Sequence, residues 1–215
     1  MWGKDGPFQA GALQTLTQWR QVWAMLGLTY WEGQTRMHAR DILDFWFVEL
    51  DDNQRFAKSE ALDALIRERF GSALAAAVRG ELYIWRGMPE GRLAEIVLLD
   101  QLSRNMFRGT PASFAQDPQA LTLAQEMVVR GDDQKLPVAY RGFAYMPFMH
   151  SESMQIHEQA VLLFSQRGME STLAFELRHK DIIERFGRYP HRNAILGRAS
   201  TEEERAFLNE SGSSF

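Results

Sequence analysis

Apolar residues along the chain recur every three or four positions rather than every second one, which predicts α-helices almost throughout. Asn-Gly or Asp-Gly turns between alternating runs, the usual marks of hairpins, are missing. The pattern places helices at roughly 12–31, 38–50, 59–70, 72–79, 91–108, 118–130, 152–166, 170–187 and 202–209. Punctuation supports several of them. Asp117-Pro118 has the form of an N-cap followed by proline at the first helical position. Gly131 and Gly168 have the form of C-terminal stops, and Thr201 to Glu204 has the spacing of a capping box. Short connections predict antiparallel helical hairpins. The expected fold is therefore all-α, an array or bundle of such hairpins. No repeat period stands out.

The first 36 residues form a separate N-terminal extension in this reading, with the main helical domain at 37–215. On a helical wheel Leu16, Trp19, Val22, Trp23, Leu26 and Tyr30 make one apolar stripe about 120° wide. Three readings stay open for it: an ordinary extra core helix, a contact between copies of the chain, or sequence upstream of a natural start at Met37.

Composition narrows the classes of function. The 215 residues suit one domain, and 45% hydrophobic residues, with 14 Phe and 6 Trp, can fill a large core. A net charge of −4 gives no positive field to attract phosphate backbones, so nucleic acid is not an expected partner. The lack of cysteine removes disulfides, thiolate metal sites and thiol catalysis. No run of about 18 apolar residues appears, so no membrane span is expected. Gln14, Gln18, Arg20 and Gln21 interrupt any signal-peptide core, and a cytoplasmic location is expected.

Candidate chemistry lies where polar groups fall on apolar helices. From Leu93 to Phe107 apolar residues surround the wheel, which marks a central, buried helix. Its second half nevertheless carries Asp100, Gln101, Arg104, Asn105 and Arg108 on one arc of about 140°. Burying such groups is costly unless they are paired. Asp100 and Arg104, at i,i+4, can pair with each other, which leaves the other three to find partners. A structural network and a pocket lining both fit.

Histidines add to this set. His157 falls inside the apolar stripe of the 152–166 helix, as does His150 if that helix begins one turn earlier. His179 is central on the face of the next helix formed with Phe175, Ile182, Ile183 and Phe186. On one helix His150 and His157 stand roughly 10.5 Å apart, too far to share an ion, so no metal site is expected. His150 with Glu152 can supply an acid/base pair. After Gly187, a loop gathers Arg188, His191, Arg192 and Asn193. Its arginine forks suit carboxylate or phosphate recognition, or simply cap the preceding helix.

Several strings together resemble a known family. They are Ile42 to Phe47; Leu98 to Gln101 with Arg104 to Thr110; Met149 to Glu152; Phe186 to Asn193; and Leu196 to Arg198. In this order they are similar to the bacterial "domain of unknown function nine hundred and twenty-four" family, from about residue 40 to the C-terminus. The resemblance implies a tetratricopeptide-like helical fold and brings no established activity, cofactor or catalytic residue. Leu102-Ser103 stands where the family has an aromatic-proline pair. His157 stands where it usually has glutamine, which argues against an essential role for His157.

Two functions follow as expectations. In the first, the buried helices and the 185–193 loop form a polar site for a small anionic ligand, bound or processed. Asp100 or Glu152 would position His150 or His179 for proton transfer, while Arg104, Arg108, Arg188 and Arg192, with Gln101, Asn105, His191 and Asn193, would hold the ligand. In the second, a tetratricopeptide-like module binds a peptide or protein in a concave groove. A third reading gives the polar groups a purely structural role.

Overall fold

The computed structural model describes residues 37–210 and 212–213. The helix expected at 12–31, its candidate contact role and the division before residue 37 lie outside the described residues. Every regular element described is helical.

Helix α1 (Ala39–Asp44) runs on into a π-helical turn, Phe45–Glu49. Short α2 (Asp52–Phe56) leads to α3 (Glu60–Val78). Next, α4 (Pro89–Val97) passes through a second π turn, Leu98–Leu102, into α5 (Ser103–Met106). Four longer helices follow: α6 (Asp117–Val129), α7 (Val138–Met149), α8 (Met154–Phe164) and α9 (Glu170–Phe186). A 3-10 turn at Pro190–Arg192 precedes α10 (Glu202–Phe207). The α10 capping box is formed: Glu204 N–H donates to Thr201 Oγ1, and Thr201 N–H donates to Glu204 Oε2. Gly131 and Gly168 end their segments at positive φ, where a Cβ would be strained.

The central position of the 89–106 segment is as expected. Every residue from Leu93 to Leu102 is buried. Helix α4 packs on α1, α6 and α7, while α5 packs on α3. Sequence neighbours α6–α7, α7–α8 and α8–α9 pack on one another, as short connections require. A smaller cluster of Ile182, Ile183 and Tyr189, packed with Met154, Phe186 and Phe207, anchors the C-terminal segment.

Four local expectations are corrected. The separate helices at 59–70 and 72–79 are one, α3. Gly71 costs about 1 kcal/mol inside a helix, and the continuous buried stripe Ile66, Phe70, Ala73, Leu74 and Ala77 outweighs it. Helix α7 was not expected at all, since Gly142 and Pro147 both weaken a helix. Burial of Ala144, Tyr145, Phe148 and Met149 overrides that propensity. Phe175 is exposed, and Glu176 turns inward in its place to meet a histidine. Finally, Asp117 does not cap α6. Gln116 is the N-cap, and no side chain bonds the helix's first N–H groups.

Candidate functional site

The second π turn sets the chemistry. A π turn inserts one residue into a helix and often marks a functional position. Here it carries Asp100, whose side chain is fully buried. Asp100 Oδ1 lies 2.7 Å from His150 Nδ1 and 3.1 Å from Arg104 Nη1. The Gln101 amide donates to Oδ2, and Arg104 Nη1 also donates to the Asp100 carbonyl at 2.6 Å. Burial opposes the charge on Asp100. The neighbouring His150 and Arg104, together with the hydrogen bonds, outweigh it and hold the carboxyl well below the usual carboxylate range.

His150 is the C-cap of α7, its N–H bonded to the Met146 carbonyl at 3.0 Å. It is therefore not on the helix that carries His157, and the one-helix spacing between them does not apply. Burial pushes its pKa down; Asp100 opposes this and Arg104 adds to it, with a net fall. The ring is thus neutral near pH 7. Facing a carboxylate, Nδ1 carries the proton, which leaves the lone pair on Nε2. Among the described residues Nε2 makes no hydrogen bond, and the side chain as a whole is 16% exposed.

Two guanidiniums stand beside this pair. Arg104 faces both oxygens of Asp117, with Nη1 2.9 Å from Oδ1 and Nη2 3.0 Å from Oδ2. Arg192 Nη1 donates to the same Oδ2 at 3.1 Å, and its Nη2 donates to the His150 carbonyl at 3.0 Å. The Arg192 guanidinium carbon sits 4.6 Å from the ring centres of both Phe114 and Tyr189, two cation–π contacts that favour the cation. Burial nonetheless pushes the Arg192 pKa down.

A second buried pair lies behind Tyr189. His157 Nδ1 is 2.7 Å from Glu176 Oε1, and its Nε2 is 2.8 Å from the Ser151 carbonyl. The carbonyl can only accept, so Nε2 carries a proton and a second proton lies between Nδ1 and Glu176. Burial pushes the Glu176 pKa up, and His157 only partly offsets that. Tyr189 donates its hydroxyl to the Met149 carbonyl at 2.5 Å. Its ring touches those of His157, His179 and His191. Burial brings the His179 pKa down to about 3 and that of His191 to about 4.

Of the residues singled out in the sequence, Asp100, Gln101, Arg104, His150 and Arg192 come together, with His179 and His191 around Tyr189. The others have different partners. Asn105 and Arg108 both bond Asp63, at 2.6–2.9 Å, and tie α5 to α3. Glu152 is held by Arg198 at 2.6 and 2.9 Å and accepts the Tyr189 N–H, so it is not the acid/base partner of His150. Arg188 grips Glu204 at 2.6 and 2.8 Å. Asn193 joins Ser200 to Arg198. Sequence reasoning missed Asp117, Phe114, Glu176 and Tyr189. The available signal for Glu176 was its position three residues before His179, on the same helix face. Among the described residues, no cluster of three or more His, Asp or Glu is arranged around a metal-sized space.

Fold and site thus define an all-helical protein with a buried carboxylate–imidazole pair beside two guanidiniums. The model of a family described as "Bacterial protein of unknown function (DUF924)" matches residues 42–212, and the chain belongs to that family. A solved structure of a protein of unknown function from Agrobacterium tumefaciens is similar to it. The two share 43% identity over 80% of this chain and 97% of that one, with a TM-score of 0.77. No curated protein matches.

Proposed function

We propose that this protein binds a small anionic molecule beside His150 and exchanges a proton with it through Nε2. The observation that carries this reading is the His150 ring itself. One nitrogen is committed to a buried, ionised carboxylate, while the other makes no hydrogen bond among the described residues, on a side chain 16% exposed. That is how an imidazole is oriented as a general base. Arg104, on the Asp100 carboxylate that holds the ring, and Arg192, on the His150 carbonyl, bring two guanidiniums to this residue, suited to an anion. A tetratricopeptide-like peptide-binding module rests on fold analogy alone, a weaker warrant.

The test is a thermal-shift screen of small carboxylates and phosphates against the wild type and His150→Gln. A ligand should raise the melting temperature of the wild type and lose most of that effect in H150Q, while H150Q without ligand stays folded. Equal ligand shifts in both proteins, or no shift with any anion, would overturn the reading.

A further inference from the structure

The ligand cradle already holds a carboxylate, that of Asp117. Three guanidinium nitrogens from two arginines surround it, at 2.9, 3.0 and 3.1 Å. Arg104 Nη2 donates to Oδ2, while Nη1 lies 2.9 Å from Oδ1 in ion-pair contact only, so that oxygen is buried without a hydrogen bond and the carboxylate fits its cradle incompletely. Resting on the reading above, we propose that Asp117 is a built-in stand-in for the ligand, and that the ligand is a carboxylic acid whose carboxylate takes its place between Arg104 and Arg192.

Three observations support an exchange over a fixed ion pair. Asp117 begins α6 but bonds none of the helix's own N–H groups, so its carboxylate can swing away without unwinding the helix. Its side chain is 16% exposed and so has a way out to water. The Arg192 Nε–H is buried and unbonded, a donor that Asp117 leaves unused.

Charge favours replacement over addition. Arg104 and Arg192 are balanced by Asp100 and Asp117, so an anion added to the intact cluster would leave net negative charge in a poorly solvated site. Exchanging one carboxylate for another keeps the balance.

The test compares wild type with Asp117→Asn, which keeps the shape and removes the charge. Acetate, succinate and inorganic phosphate serve as probes by thermal shift and calorimetry at pH 7. If the competing carboxylate occupies the cradle about nine-tenths of the time, D117N binds acetate and succinate on the order of tenfold more tightly. Phosphate should gain clearly less. Unchanged or weaker carboxylate binding in D117N overturns the proposal, and an equal gain for phosphate overturns the carboxylate assignment. Should D117N fold poorly, wild-type crystals soaked in succinate decide: a carboxylate between the arginines with Asp117 displaced supports the exchange, and Asp117 unmoved refutes it. Binding that is lost in H150Q but not gained in D117N sinks this inference alone. A D117N gain that H150Q leaves untouched sinks the proton-transfer reading alone.

Discussion

Replacing Asp100 with Asn isolates the contribution of its charge. The Asn carbonyl can still accept from His150 and Arg104, and the Gln101 amide can flip to accept from the new NH2 group. Shape and hydrogen bonding therefore survive while the buried negative charge goes. Removing one member of a buried ion pair costs about 3–5 kcal/mol. Arg104 keeps Asp117, so the lower end applies, about 3 kcal/mol. For a chain of this size that is a fall in Tm of roughly 6–12 °C. The more specific readout is His150. In the wild type Asp100 favours the imidazolium, against burial and Arg104. Without it, the His150 pKa must fall further, which NMR titration of the ring protons follows directly. A His150 titration in D100N that is unchanged, or moved upward, would show that Asp100 does not hold the ring, and the dyad would be refuted.

Three other substitutions probe the scaffold. Asp63→Ala strands the buried Asn105 amide at about 1–3 kcal/mol, while half-exposed Arg108 rehydrates for about 1 kcal/mol or less. Thermal denaturation should show Tm lower by several degrees with ligand shifts unaltered; altered shifts would return Arg108 to the site. Glu204 is held near pKa about 2, down from an ordinary 4.5, by hydrogen bonds from Arg188. A lowered carboxyl stabilises the fold above its unfolded pKa and loses that contribution as pH falls toward the folded one. The stability advantage of wild type over Glu204→Gln should therefore shrink between pH 4.5 and 2 in urea titrations, and a constant gap refutes the pairing. Gly91→Ala places a Cβ 2.1 Å from the Trp85 carbonyl oxygen, so backbone must move. A loss of at least about 1–3 kcal/mol is expected in chemical denaturation, and a neutral effect contradicts the packing of α4 on the 83–87 turn.

Periodicity in the sequence shows which side chains point inward, and it correctly picked the central helix, His157 and His179. It says little about which groups meet there. Asp100 and Arg104, one helical turn apart, were legible as a pair because they share a face. The partners of Asp100 across the fold were not, since His150 is 50 residues away. Asn105 and Arg108 looked like unpaired site residues only because Asp63, more than forty positions earlier, is invisible to a helical wheel. Helix α7 was hidden for a related reason: its stability comes from tertiary burial, while its Gly and Pro argue locally against it.

Asp117 shows the same competition at a single residue, and it explains why the site escapes a local reading. By sequence alone, an aspartate before a proline belongs to the helix it begins, as a cap worth about 1 kcal/mol. In the fold, the carboxylate is drawn to two guanidiniums, one of them 75 residues distant, and the helix start goes without its cap. Charge-assisted bonds are roughly twice as strong as neutral ones, and two of them, with a further ion-pair contact at Oδ1, outweigh one cap. A residue that gives up a local role for a distant, mostly buried one has been placed by the requirements of the cluster rather than those of the helix. The two arginines that draw it there would otherwise present uncompensated charge beside His150, which is the condition a ligand carboxylate would meet each time Asp117 moves aside.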